Sequence, residues 1–126
     1  MIVRAEHAYT DEEVYRILHP LVAEWFRYEF LTFTPPQRYA VVEIDKGNNV
    51  LITSPTGSGK TLSAFLSAIN KLIKMGENGT LEDRIYVLYI SPLKALNNDI
   101  HRNLSIPLAE IQRLAEKRGE EVAEIR

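Results

Sequence analysis

A glycine-rich turn at residues 54–61, with the sequence Ser-Pro-Thr-Gly-Ser-Gly-Lys-Thr, constrains this chain more than any other feature. An apolar run at residues 50–52 leads into the turn, and apolar residues at helical spacing follow it over residues 62–73. A buried strand that passes through such a turn into a helix is the setting of a phosphate-binding loop. The sequence therefore predicts an α/β fold in which the loop follows a strand of a parallel sheet.

The residue types in the turn suit phosphate chemistry. Gly57 and Gly59 lack a Cβ, so the backbone can curl and direct its N–H groups inward. Lys60 would act in catalysis by placing a positive charge at the β- and γ-phosphates, and the Thr61 hydroxyl would reach Mg²⁺. A turn that binds nothing would need neither residue, although Ser54 departs from the Gly of the general pattern. The expected backbone N–H donors are Thr56, Gly57, Ser58 and Gly59.

Composition bounds the class of protein. The chain has 126 residues, 45% of them hydrophobic and 25% charged, which is ordinary for one small globular domain. It has no cysteine, which excludes disulfides and thiolate metal sites. No apolar run has membrane-spanning length and the N-terminus does not resemble a signal peptide, so we expect a cytoplasmic protein without membrane contact. The net charge of −2 lacks the basic excess of most nucleic-acid binders, so any such contact should be local.

Local signals place the other elements. Thr10 and Glu13 have capping-box spacing, and Pro35 and Pro36 suit the first turn of a helix. The run at residues 84–90 is almost continuously apolar, as in a parallel strand covered on both faces. The predicted helices cover residues 11–18, 21–30, 35–46, 60–76, 92–104 and 108–118, with a break at 105–107, and the predicted strands cover 50–52, 84–90 and the start of 121–126.

An acid for hydrolysis is missing from the sequence. A nucleotide hydrolase needs an acidic residue at the end of a later strand to hold Mg²⁺, together with a residue that activates water. The acidic groups at residues 11–13, 43–45 and 82–83 lie at a helix start, within a helix and before a strand. We therefore expect that the chain alone does not hydrolyse a nucleotide.

Several segments together resemble superfamily 2 helicases. The Thr-Pro-Pro-Gln run at residues 34–37 resembles the Q motif, residues 54–61 resemble motif I, and residues 91–99 resemble motif Ia. The full run of residues from about 18 to 114 is most similar to the large-helicase-related (Lhr) family. The resemblance implies an ATP-dependent translocase whose two RecA-like domains clamp ATP and a strand of DNA or RNA between them.

This resemblance also implies how the chain is organised. Residues 1–31 would be an N-terminal helical segment, and residues 32–126 the first part of an incomplete RecA-like domain, truncated before the DExH motif. The full-length enzyme would be an ATP-dependent helicase, and this part alone would be inactive. Apolar strand edges left uncovered in it would favour self-association.

The resemblance assigns further site residues. Gln37 would recognise adenine in ATP, with Phe33 and Thr34 beside it, although Gln37 could also simply complete a capping box with Thr34. Trp25 could stack on a base, but core packing is the favoured interpretation. The segment that would contact the backbone of single-stranded or partly duplex DNA or RNA comprises Pro92, Leu93, Lys94 and Asn97.

Two other function classes stay open at this point. A different P-loop NTPase, such as a nucleotide kinase or a transporter ATPase, would account for residues 54–61 but would leave residues 34–37 and 91–99 unexplained. A non-catalytic nucleotide-binding module would use the same loop as a sensor. Binding without turnover in the complete protein would favour that module.

Overall fold

Helices account for the regular structure in the part of the chain that the computed structural model describes, which is residues 1–91, 98 and 100–125. They pack around one core, and a π-helical segment runs directly into the last helix. The elements are α1 (Asp11–Ile17), α2 (Pro20–Phe30), α3 (Pro35–Asp45), α4 (Lys60–Glu77), the π-helical segment (His101–Ser105) and α5 (Ile106–Lys117).

The helix starts follow from local capping, as the sequence predicts. At α1, the Glu13 N–H donates to Thr10 Oγ1 at 3.2 Å, and the Thr10 N–H donates to Glu13 Oε1 at 3.1 Å. At α2, the ring nitrogen His19 Nδ1 accepts from the Leu21 N–H at 3.1 Å, which satisfies a donor that the helix leaves unpaired. These bonds confirm the predicted helix starts near residues 11 and 21.

The core forms where α4 meets the N-terminal helices. The side chains that face the core from α4 fall at helical spacing and pack against α3, with α1, α2 and α5 closing the cluster. An aromatic group from α2 and the α2–α3 connector fills its centre, with Phe26 and Phe33 fully enclosed. The largest apolar side chains that are fully buried are Leu21, Phe26, Phe33, Leu66, Ile69 and Ile111.

A buried amide fixes α4 against the junction of α1 and α2. Asn70 is 1% exposed. Its Nδ2 donates to the Ile17 carbonyl at 3.2 Å, and its Oδ1 accepts from the His19 N–H at 2.6 Å. Lys74 Nζ donates to the same Ile17 carbonyl at 2.5 Å. Because these backbone groups lie at helix ends, α4 supplies the partners that the helices themselves cannot.

The predicted strands are not observed. No strand is present among the described residues, and residues 50–52, 84–90 and 121–125 form neither strand nor helix. Leu51, Ile85 and Leu88 are 75%, 86% and 80% exposed. A strand is stable only when a neighbouring strand pairs its backbone groups, and these apolar runs do not pair with one another here. Residues 81–89 and 123–125 border a cavity of about 1060 Å³ against Phe65 and its neighbours on α4.

The predicted break at residues 105–107 is also wrong. Ser105 has helical torsions, φ −64° and ψ −46°, and the π-helical segment continues without interruption into α5. Pro107 lies in the first turn of α5 and does not end the helix, although it offers no N–H to the preceding π-helical turn. Of the helix predicted at residues 92–104, residues 92–97 and 99 lie outside the described part of the chain.

We expect Asn70→Ala to lower the free energy of unfolding by about 1–3 kcal/mol, because it leaves the His19 N–H without its partner and removes one of the two hydrogen bonds to the Ile17 carbonyl, which Lys74 Nζ keeps. Ser67→Ala is the matched control, since Ser67 Oγ donates to the Ser63 carbonyl of its own helix at 2.8 Å and bonds no other element among the described residues. That change should cost less than about 1 kcal/mol. Urea unfolding followed by circular dichroism measures both values. Equal losses would show that Asn70 does not join the helices.

We also expect the chain to self-associate, because apolar strand-forming runs with exposed side chains tend to pair between molecules. Sedimentation velocity should show an apparent mass that rises with concentration, and Leu88→Lys should weaken that rise. Leu31→Lys is the control, because Leu31 is also 80% exposed but lies outside these runs. A wild-type chain that stays monomeric at every concentration would contradict the expectation.

Candidate nucleotide-binding site

The turn at residues 54–60 has the backbone geometry of an anion-binding loop. Gly57 and Gly59 have φ of +83° and +84°, in the left-handed region that side chains disfavour. Gly59 is the N-cap of α4, and Lys60 is the first residue of that helix. The curled backbone and the positive end of the 18-residue helix therefore meet at the same place.

Polar side chains close the loop on itself. Ser58 Oγ donates to the Pro55 carbonyl at 2.6 Å and also contacts Ser54 Oγ. Lys60 Nζ donates to the Ser54 carbonyl at 2.5 Å. The ammonium thus spans the loop opening, where a phosphate oxygen could replace the carbonyl as its partner. Thr61 follows in the first turn of α4 and is half-buried.

Gln37 connects the start of α3 to this loop. Its Oε1 accepts from the Thr34 N–H at 2.9 Å, so it caps α3, which is one of the two roles that the sequence left open. Its Nε2 donates to the Gly59 carbonyl at 3.4 Å, which is a long bond. A Cβ on Gly59 would lie 2.5 Å from that nitrogen. Gly59 is therefore required both by its torsion and by the approach of Gln37.

The structure places Phe33 in the core and not at a base. Its ring is 2% exposed and stacks on Phe26, with centroids 4.2 Å apart and planes 14° apart. The Tyr15 ring lies against it at 4.7 Å. A large apolar ring at a junction of helices gains most by leaving water, so we propose no base contact for Phe33. Trp25 is also buried, and its Nε1 donates to Glu110 Oε2 at 2.5 Å.

An ionic cluster next to Gln37 has no counterpart in the sequence motifs. Asp11 Oδ1 accepts from Arg38 Nε at 2.9 Å, and Asp11 Oδ2 accepts from Thr32 Oγ1 at 2.5 Å. Burial alone would raise the pKa of Asp11, but these hydrogen bonds and the charge of Arg38 outweigh it and lower that pKa. The partners lie 27 and 21 residues away, so no local pattern could reveal them.

The structure does not describe the segment that the sequence predicts to contact nucleic acid. Pro92, Leu93, Lys94 and Asn97 all lie outside the described residues, so their contact with DNA or RNA stays a prediction. Within the described residues, no group of at least 3 His, Cys, Asp or Glu side chains could hold a metal ion. Over the same residues, no helix is both long enough and apolar enough to cross a membrane.

Comparison with known proteins identifies the family. The family model of the DEAD/DEAH box helicase matches residues 34–125, a span that begins at Thr34 and includes both Gln37 and the loop. The chain belongs to the DEAD/DEAH box helicase family. Membership in this helicase family implies a RecA-like fold, although the described residues show no sheet. No solved structure gave a significant match.

Curated relatives of this helicase-family chain carry Lhr names, which confirms the resemblance seen in the sequence. "ATP-dependent helicase Lhr-Core protein 2" of Thermococcus barophilus is 67% identical over 100% of this chain and 15% of its own length. "ATP-dependent helicase Lhr-Core" of Methanocaldococcus jannaschii is 64% identical over 94% of this chain and 14% of its own length. "Lhr helicase/uracil glycosylase" of Escherichia coli is 39% identical over 87% of this chain and 7% of its own length. The chain thus spans 15% or less of these relatives.

Proposed function

We propose that this chain is the N-terminal part of an ATP-dependent, Lhr-type DNA or RNA helicase and that residues 54–61 bind the phosphates of ATP. The observation that carries the proposal is the left-handed pair Gly57 and Gly59 at the start of α4. Such a pair lets the backbone curl, so that its N–H groups would face a phosphate at the positive end of a helix. We further propose residues 1–31 as the helical segment before the RecA-like domain and residues 32–126 as the first part of that domain.

Different residues of the loop would contact different parts of the bound ATP and its Mg²⁺. Backbone N–H groups between Thr56 and Gly59 would surround the β-phosphate, and Lys60 would exchange the Ser54 carbonyl for a phosphate oxygen. The Thr61 hydroxyl fits Mg²⁺, which takes few protein oxygens and keeps several waters. Mg²⁺ bound there would neutralise negative charge on the phosphates. Lys60 and Thr61 would thereby hold the group that is transferred.

Gln37 would recognise the base in this proposal. Its amide offers both a donor and an acceptor, which the edge of adenine matches. The bond from Nε2 to Gly59 is 3.4 Å long, so adenine can replace it at little cost, while Oε1 keeps its bond to Thr34. Thr34 would lie beside the base as the N-cap of the same helix.

The other reactions of the enzyme would need residues beyond these. Neither of the predicted strands at residues 50–52 and 84–90 ends in an acidic residue, so we propose that the chain alone binds ATP but does not hydrolyse it. Pro92, Leu93, Lys94 and Asn97 would contact the nucleic-acid backbone in the full-length protein. A different P-loop NTPase is disfavoured, because the helicase model extends over residues 34–125 and not over the loop alone.

Calorimetric titration tests the phosphate role. Mg-ATP should bind the wild-type chain, and Lys60→Ala should weaken binding at least about tenfold, because one charge-assisted bond to phosphate is lost. Lys71→Ala is the matched control, since Lys71 is an exposed lysine of the same helix, and it should bind as the wild type does. Equal binding by Lys60→Ala would contradict the proposal. Phosphate release from ATP by the wild-type chain, lost in Lys60→Ala, would contradict the absence of hydrolysis.

A further inference from the structure

One carboxylate ties together segments that are distant in the sequence. Asp11, Thr32 and Arg38 form a closed triangle, because Arg38 Nη2 also donates to Thr32 Oγ1, at 3.2 Å, in addition to the two bonds that Asp11 accepts. We call these residues the Asp11 clamp. It joins the first turn of α1 to the α2–α3 connector and to α3.

The clamp holds both ends of the segment that contains Gln37. Thr32 precedes residues 33–37 and Arg38 follows them directly. The backbone of Arg38 is fixed as well, since its N–H donates to the Thr34 carbonyl at 3.0 Å and its carbonyl accepts from the Tyr9 N–H at 3.1 Å. Movement of Asp11 would therefore move the backbone that carries Gln37.

The entry to this segment is strained. Leu31 has φ +64° and ψ −48°, and the Thr32 N–H donates to the Phe30 carbonyl at 2.7 Å, which together form the rarer and strained kind of γ-turn. A residue other than glycine keeps such torsions only where its surroundings impose them. Tyr15 Oη donates to the Leu31 carbonyl at 3.2 Å, and the Asp11 clamp fixes the next residue. The connector is thus held from outside.

We propose that Asp11 is a positioning residue for adenine recognition, acting through Thr32 and Arg38 on Gln37. This inference rests on the proposed function, and it concerns the base alone. Lys60 and the loop glycines belong to the other end of the site and have no contact with the clamp among the described hydrogen bonds. Loss of the clamp should thus change base selectivity and leave the phosphate grip intact.

Calorimetric titration of Asp11→Ala with Mg-ATP, Mg-GTP and magnesium tripolyphosphate separates the two ends. We expect ATP affinity to fall about tenfold, as for the loss of one hydrogen bond from the Gln37 amide to adenine, and the preference for ATP over GTP to fall by a similar factor. Tripolyphosphate, which has no base, should bind as it does to the wild type. Asp11→Asn keeps the shape and one acceptor, so it should recover part of the selectivity.

Glu13→Ala controls for the stability of α1. This variant removes the capping bond that Glu13 accepts from the Thr10 N–H at the start of α1. The three bonds of the Asp11 clamp do not involve Glu13. Its ratio of ATP to tripolyphosphate affinity should equal that of the wild type. Circular dichroism establishes which variants are folded. If Asp11→Ala is not folded, Thr32→Val removes the two clamp bonds that Thr32 Oγ1 makes, keeps the bond from Arg38 to Asp11, and should shift the same ratio.

The outcomes are distinguishable. Parallel losses of ATP and tripolyphosphate in folded Asp11→Ala, or an unchanged preference for ATP, would overturn the positioning role while leaving the proposed ATP site in place. A wild-type chain without preference for ATP over GTP would overturn it too. A wild-type chain that binds neither ATP nor tripolyphosphate would overturn the proposed function, and the positioning role with it.

Discussion

The burial of α4 is the constraint on which the rest of the structure depends. This helix carries the phosphate loop at its first residue, and its apolar residues supply one wall of the core. Asn70 sets its position, because the amide bonds a carbonyl at the end of α1 and an N–H at the start of α2. Helix–helix packing alone tolerates some sliding, whereas a buried amide with both ends satisfied defines one register.

The same helix couples the two ends of the candidate site. Gln37 lies on α3 and the loop lies on α4, and these helices pack directly on one another. Where they approach, Gly59 has no side chain, so the Gln37 amide comes within hydrogen-bond reach of its carbonyl. In the proposed function, the amide that would recognise the base and the backbone that would bind phosphate are thereby held together before any nucleotide arrives. Such preorganisation lowers the ordering cost of binding.

Local chemistry explains which parts of the fold the sequence could predict. Capping pairs such as Thr10 with Glu13 and Thr34 with Gln37 lie within one helical turn, so the sequence predicts where these helices start. The loop is also predictable, because its left-handed glycines are neighbours in the sequence. Strand pairing is not local. The runs at residues 50–52 and 84–90 have the composition of strands but no partner strand among the described residues.

The sequence could reveal neither the burial of Phe33 nor the partners of Asp11, because both depend on how the helices pack. Phe33 adjoins the Q-like motif in sequence, yet core packing against Phe26 determines where its ring lies. In the sequence, Asp11 is an ordinary acidic residue in the first turn of a helix. Its bonds to Thr32 and Arg38 form only when the helices pack together. Family resemblance supplied the role of Gln37, and the structure added its bond to Gly59.

Amide hydrogen exchange tests most directly whether helix packing alone positions the loop. The account predicts that Leu66, Ile69 and Asn70 in α4 exchange slowest, while Leu51, Ile85 and Leu88 exchange nearly as fast as in an unfolded chain. Strong protection of Leu51 and Ile85 would reveal a sheet that the described structure lacks. Rapid exchange throughout α4 would contradict the account, because the phosphate loop would then have no fixed support.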